Sequence, residues 1–105
     1  MFHILLAIAD GERHGYRIMQ EVFARTNGKV VLGPGTLYGT INRMLEAGLI
    51  EESGERSDPA LNDERRRYYR ITRKGWRAAV TQAERLQELL RVARAKHLLQ
   101  RPRAV

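Results

Sequence analysis

The last third of the chain carries the pattern that most limits its fold. Trp76, Ala79, Ala83, Leu86, Leu90, Ala93 and His97 recur at alternating steps of three and four residues, a heptad seam held for roughly three repeats. Leu89 and Val92 widen the stripe, and Thr72 stands just ahead of it as a suitable N-cap. This is a long helix, running from about Thr72 towards His97, with one apolar edge. A chain of 105 residues buries only about 60–70% of its unfolded surface, so association would help it. The segments ahead of the seam close a core of their own, which leaves the seam without a partner inside the chain. It therefore predicts pairing with a second copy through Trp76, Ala83, Leu86, Leu90 and Ala93. The tail, Arg101-Pro102-Arg103-Ala104-Val105, is expected to fray.

Ahead of that helix the punctuation divides the chain into short elements. Phe2, Leu5, Leu6 and Ala9 have helical spacing and predict a first helix, ended by the turn at Asp10-Gly11-Glu12-Arg13. A second helix follows His14-Gly15, with Tyr16, Met19 and Phe23 on one face, and Asn27-Gly28 stops it in left-handed conformations. Gly33-Pro34-Gly35-Thr36 opens a third helix with proline in its first turn, and Leu37, Ile41, Met44 and Leu45 give it an apolar stripe. Ala47-Gly48 closes it. Leu49 to Arg56 and Arg66 to Thr72 read as strands, joined by a polar loop over residues 57–64. The order is helix, helix, helix, hairpin, long helix. The fold expected is mainly α with a small β-hairpin: a winged helix-turn-helix over residues 1–72, and a dimerisation helix with its tail over 73–105, in one compact unit.

Charge points to a partner. Nineteen Lys and Arg oppose 12 Asp and Glu, for a net charge of +7, which in so small a domain favours an anion, nucleic acid first. The third helix is suited to that role. With Leu37, Ile41, Met44 and Leu45 turned to the core, Thr36, Gly39, Thr40, Asn42 and Arg43 fall on its outer face, short and polar, with no acid before Glu46. A helix entering the major groove needs such a face: Arg43 can bridge guanine acceptors, Asn42 can pair with adenine, and Thr36 and Thr40 suit phosphates or a thymine methyl. Arg65, Arg66 and Arg67, beside Tyr68 and Tyr69, form a basic run fit for a phosphate backbone, with Asp58, Asp63 and Glu64 close enough to compete for them.

Catalytic readings find little support. The chain has no cysteine, which removes disulfides, thiolate nucleophiles and the common zinc knuckles. His3, His14 and His97 are scattered without metal-ligand spacing, so neither a metal nor a cofactor is expected. Gly33 to Gly39 imitates a dinucleotide loop, but its third glycine comes one position late and no ribose-binding acid follows. No apolar run approaches the roughly 20 residues of a membrane span, and residues 2–9 lack the flanks of a signal peptide, so a cytoplasmic location is expected. Two other readings stay open: a winged helix that binds RNA or a protein, and a basic amphipathic final helix resting on anionic lipid.

Three ordered motifs add a resemblance. Ala9 to Ile18 (ADGERHGYRI), Leu32 to Tyr38 (LGPGTLY) with Arg43 to Ile50 (RMLEAGLI), and Arg66 to Thr72 (RRYYRIT) with Gly75 resemble the PadR family of bacterial transcriptional regulators. The likeness runs from Ile4 to about Ala95. It implies a homodimeric repressor on a palindromic operator, relieved in many relatives by small aromatic compounds or drugs. The single helix after the hairpin resembles the short subfamily that dimerises through it. By position, Thr36, Tyr38, Thr40 and Arg43 would supply the recognition helix, and Arg65 to Arg67 the wing. Trp76, with Phe2 or Phe23, would wall an effector site between subunits. Gly39 departs from the pattern, standing where many relatives carry proline.

Overall fold

The computed structural model describes residues 1–99, the side chains at positions 62 and 63 excepted; the tail expected to fray lies outside them. Its elements run α1 (Phe2–Ile8), β1 (Arg13–His14), α2 (Gly15–Arg25), α3 (Pro34–Glu46), β2 (Ile50–Asp58), β3 (Asn62–Ile71) and α4 (Arg73–Ala95). The three strands form an antiparallel sheet in the order β1-β3-β2. That is the winged-helix plan followed by a long helix. Among the described residues no helix is long and apolar enough to cross a membrane.

The core lies where α1, α2 and α3 meet the root of the sheet. Ile4, Leu5, Ala7 and Ile8 of α1 close on Ile18 and Val22, on Leu37, Ile41 and Met44, and on Ile50 and Tyr69. Two stripes differ from expectation. In α1 the buried side includes Ile4, Ala7 and Ile8, while Leu6 is exposed. In α2 it runs through Gly15, Ile18 and Val22, and Tyr16 and Phe23 face outward. Tyr16, Met19 and Phe23 share the same spacing one position away, so period alone could not choose between the two rows. Volume could: β-branched and small residues let α2 sit closer to α1 and α3 than two aromatic rings would.

Local chemistry fixes the ends of the helices. Asn27 and Gly28 have positive φ (53° and 77°), and the Gly28 amide reaches back to Phe23 O at 2.8 Å. Gly48 repeats the device after α3, with Leu49 N bonded to Met44 O at 3.0 Å. The last helix ends at Ala95, short of His97, whose own φ of 61° turns the chain away. Thr72 caps α4 as expected, its hydroxyl accepting from Gly75 N at 3.0 Å.

The hairpin is longer than the sequence suggests. β2 extends to Asp58 and β3 starts at Asn62, so residues 57–64 are mostly strand and only Pro59, Ala60 and Leu61 turn. Polar alternation hid this, because both faces of an outlying ribbon are wet. The short strand β1, unforeseen, pairs Arg13 with Tyr69 and His14 with Tyr68. It ties the root of the wing to the start of α2.

Candidate nucleic-acid interface

The first turn of α3 is open. Gly33 caps it without a side-chain bond, Pro34 is the first helical residue, and Thr36 is exposed. Asn42 and Arg43 are exposed further along, with Gly39 half-buried between the turns. Tyr38 is 42% exposed and lies across the backbone of Gly15, where an added Cβ would fall 2.6 Å from its hydroxyl. That close approach seats the second turn of α3 on the start of α2.

Thr40 departs from its expected place. It is buried, donating through its hydroxyl to Thr36 O at 2.8 Å and accepting from Arg43 Nη2 at 3.1 Å. At about 100° per residue it stands only about 65° from the centre of the Leu37, Ile41 and Met44 stripe. Arg43 and Asn42 stand about 125–135° away, and Gly39 is nearly opposite the core. So Thr40 supports Arg43 from beneath and is not itself part of the open face. Arg43 has no ion pair among the described residues, which leaves its guanidinium free to turn outward.

Beside this helix stands β3. Arg65 and Arg67 are exposed and Arg66 is half-buried. Together with Glu64, Tyr38 and His14 they line a cleft of about 230 Å³ between the hairpin and Tyr38 in the second turn of α3. The competing acids are present but loosely engaged. Arg65 meets Glu55 at 3.8 Å, Arg67 meets Glu52 at 3.7 Å and Arg66 meets Glu64 at 3.4 Å. Exposed pairs at such distances contribute about 0–1 kcal/mol, so a phosphate could displace the carboxylates. Asp58, one of the suspected competitors, turns instead to His14 and Arg17. Asp63 lies among the side chains outside the described set.

Several contributors carried no site role in the sequence reading. His14 is 1% exposed and caps α2, its Nδ1 accepting from Arg17 N at 3.3 Å. Tyr68 is held between the His14 edge, 5.2 Å between ring centres, and the Arg56 guanidinium, 3.6 Å above its ring. Arg66 leans over Tyr16 at 5.3 Å. Arg56 in turn is paired with Glu12. The available signal was the basic run of residues 65–67 leading into Tyr68 and Tyr69, which the β-period splits between two faces.

The residues suggested for self-association lie apart from this surface, on α4. Trp76 (51%), Leu86 (40%) and Leu90 (43%) are exposed, as is Ala83, while Ala93 is half-buried. Ala79 alone of the seam packs on the core. Phe2 is half-buried, but Phe23 lines a separate shallow groove with Tyr16, Met19, Val31 and Leu32. Among the described residues no group of three His, Cys, Asp or Glu could hold a metal.

Comparison with known proteins agrees with this fold. The transcriptional regulator Rv3488 of Mycobacterium tuberculosis is 43% identical over 91 residues, covering 85% of this chain and 77% of that one. A protein of uncharacterised function from Lysinibacillus sphaericus is 38% identical over 73 residues, 69% of this chain and 63% of its own length. The chain thus spans less than two thirds of that second relative. Bacillus subtilis PadR, solved in complex with operator DNA, shares the fold at a TM-score of 0.66 and 16% identity, over 78% of this chain and 45% of that one. Residues 4–81 match the family described as transcriptional regulator PadR-like, and the chain belongs to that family.

Proposed function

We propose that the chain is a sequence-specific double-stranded DNA-binding repressor, acting in the cytoplasm as a homodimer on a palindromic operator. The observation that carries this reading is the outer face of α3: Thr36, Asn42 and Arg43 stand exposed around a bare Gly39, without an ion pair on Arg43 among the described residues. Side chains of that kind read base edges in the major groove. The cleft between Tyr38 and the β3 arginines suits the flanking backbone, and the operator DNA held by the similar B. subtilis fold supports the same use here. In this reading residues 1–72 contact DNA and residues 73–105 dimerise. The exposed seam of α4 supports the second half, because an unpartnered apolar stripe marks an interaction surface. Two copies would address half-sites about 34–36 Å apart or at multiples of that spacing. A small aromatic effector would sit between subunits against Trp76, the only tryptophan.

The test begins with selection of bound sequences from a random duplex pool. Affinity for the selected site and for a scrambled duplex is then measured across salt. Arg43→Ala should lose about 1–3 kcal/mol of discrimination between the two. Arg66→Ala should weaken both alike and flatten the salt slope by roughly one unit for each phosphate the arginine no longer neutralises. Failure of the pool to yield any preferred sequence, or equal weakening on both duplexes with Arg43→Ala, refutes the base-reading role.

A further inference from the structure

One carboxylate of the hairpin bonds away from the neighbouring arginines. Asp58 ends β2, where the register against β3 slips between Ser57 and Asp58. Its side chain is 15% exposed. Oδ1 accepts from the Ala60 amide at 3.1 Å, an ordinary turn contact. Oδ2 does something different, accepting from His14 Nε2 at 2.9 Å and from Arg17 Nε at 3.0 Å, both more than 40 residues away in sequence. Because His14 Nδ1 already accepts from the Arg17 amide, the neutral ring carries its proton on Nε2 and donates it to Asp58. The hydrogen bonds from His14, then Arg17, hold the Asp58 carboxyl at about 2, so it stays ionised.

The location gives these bonds a consequence. β1 supports β3 only at Tyr68 and Tyr69. Beyond that point residues 55–57 and 65–67 form a two-stranded ribbon, and such ribbons are marginal alone in water. Charge pairs within the ribbon are long, and its other contacts with the body are single side-chain ones, Arg56 with Glu12 and Arg66 over the Tyr16 ring. The bonds from Asp58 to α2 fasten its outer part to the helical body, beside the cleft that Tyr38 and the three arginines line.

We propose that Asp58 is a positioning residue for DNA recognition: its bonds to His14 and Arg17 clasp the hairpin to α2 and hold Arg65, Arg66 and Arg67 at a fixed place beside α3. The inference rests on the reading of the hairpin as a DNA-contacting wing. The turn contact to Ala60 alone would explain an Asp here, but it uses Oδ1 and leaves the paired contacts of Oδ2 unexplained.

The test uses the full chain and its selected duplex. Asp58→Ala should weaken binding about tenfold, since arginines no longer held in place must be ordered on binding, and should lower the salt slope by about one unit. In a variant with Arg65, Arg66 and Arg67 all changed to Ala, adding Asp58→Ala should have no further effect. Asp58→Asn keeps an acceptor for His14 and should recover part of the affinity; it carries the test if the Ala variant fails to fold. Without DNA, amide exchange at residues 55–57 and 65–67 should quicken in Asp58→Ala and slow again in Asp58→Asn. Unchanged exchange overturns the clasp, and an undiminished effect of Asp58→Ala in the wing-neutral variant overturns the positioning role. A wild-type chain with a protected hairpin that binds no duplex refutes the functional reading and leaves Asp58 no recognition to position, overturning both.

Discussion

Gly75→Ala should be among the most damaging small substitutions in the chain. Gly75 is buried in the first turn of α4, and an added Cβ would fall 1.9 Å from Leu49 O and 3.0 Å from Ile71 Cγ1. A carbon meets a carbonyl oxygen no closer than about 3.3 Å, so the helix start and the Leu49 peptide must part by more than about 1 Å. Three bonds cross or brace that junction: Thr72 N to Leu49 O at 3.1 Å, Thr72 Oγ1 to Gly48 O at 2.6 Å, and Gly75 N to Thr72 Oγ1 at 3.0 Å. At about 0.5–1.5 kcal/mol each, and with alanine returning up to about 1 kcal/mol of helix propensity, the net destabilisation centres on about 2 kcal/mol. For a domain of this size that lowers the melting temperature by roughly 10 °C or more. Thermal unfolding followed by circular dichroism measures it. Gly11→Ala is the control, because nothing lies within 4 Å of its Cβ position. If Gly75→Ala melts alongside that control, the close approach of α4 to Leu49 is wrong.

Gly39→Ala should do the reverse: its Cβ meets only Arg43 Nη1 at 3.9 Å, so the fold gains up to about 1 kcal/mol while operator affinity falls, and an unchanged affinity would place α3 further from the groove floor. Replacing Leu86 and Leu90 together by Glu removes about 1.5–3 kcal/mol of burial per leucine in each subunit and should give a monomer by sedimentation; a monomeric wild type at micromolar concentration would sink the dimer. Asp58 titrates lower folded than the ordinary 3.8, so its stabilisation is complete above about pH 4 and lost as pH falls towards 2. The stability gap between wild type and Asp58→Asn in urea should therefore close over that window, and a constant gap would show that the charge contributes nothing.

The element order was legible because turn chemistry is local. Asn27-Gly28, Gly33-Pro34, Ala47-Gly48 and Thr72 each act within one turn of helix, and each stands where it was expected. The buried row of α2 was harder to read, since two rows of equal period competed and the losing one held the larger rings. Thr40 was readable and missed: its angle to the stripe puts it on the shoulder of the core, where a hydroxyl bonded to the preceding turn buries easily. β1 and the Asp58 contacts were not readable. Two residues give no period, and a pairing of positions 14 and 58 depends on a hairpin whose strands the sequence made too short.

The junction that makes Gly75 intolerant also joins the two halves of the proposed mechanism. Besides the Thr72 bonds, Lys74 Nζ donates to Ala47 O at 2.7 Å, so the start of α4 is fastened to Ala47, Gly48 and Leu49, the residues just after α3. The 23 residues of α4 extend about 34 Å from that anchor, and the exposed leucines lie beyond its midpoint. In a dimer built on those leucines, the angle between the two copies of α4 would set the distance between the two copies of α3. Because the anchor is short and bonded on both sides, α3 would follow a rotation of α4. An effector wedged beside Trp76, one turn from the anchor, could then change half-site spacing without touching Asn42 or Arg43.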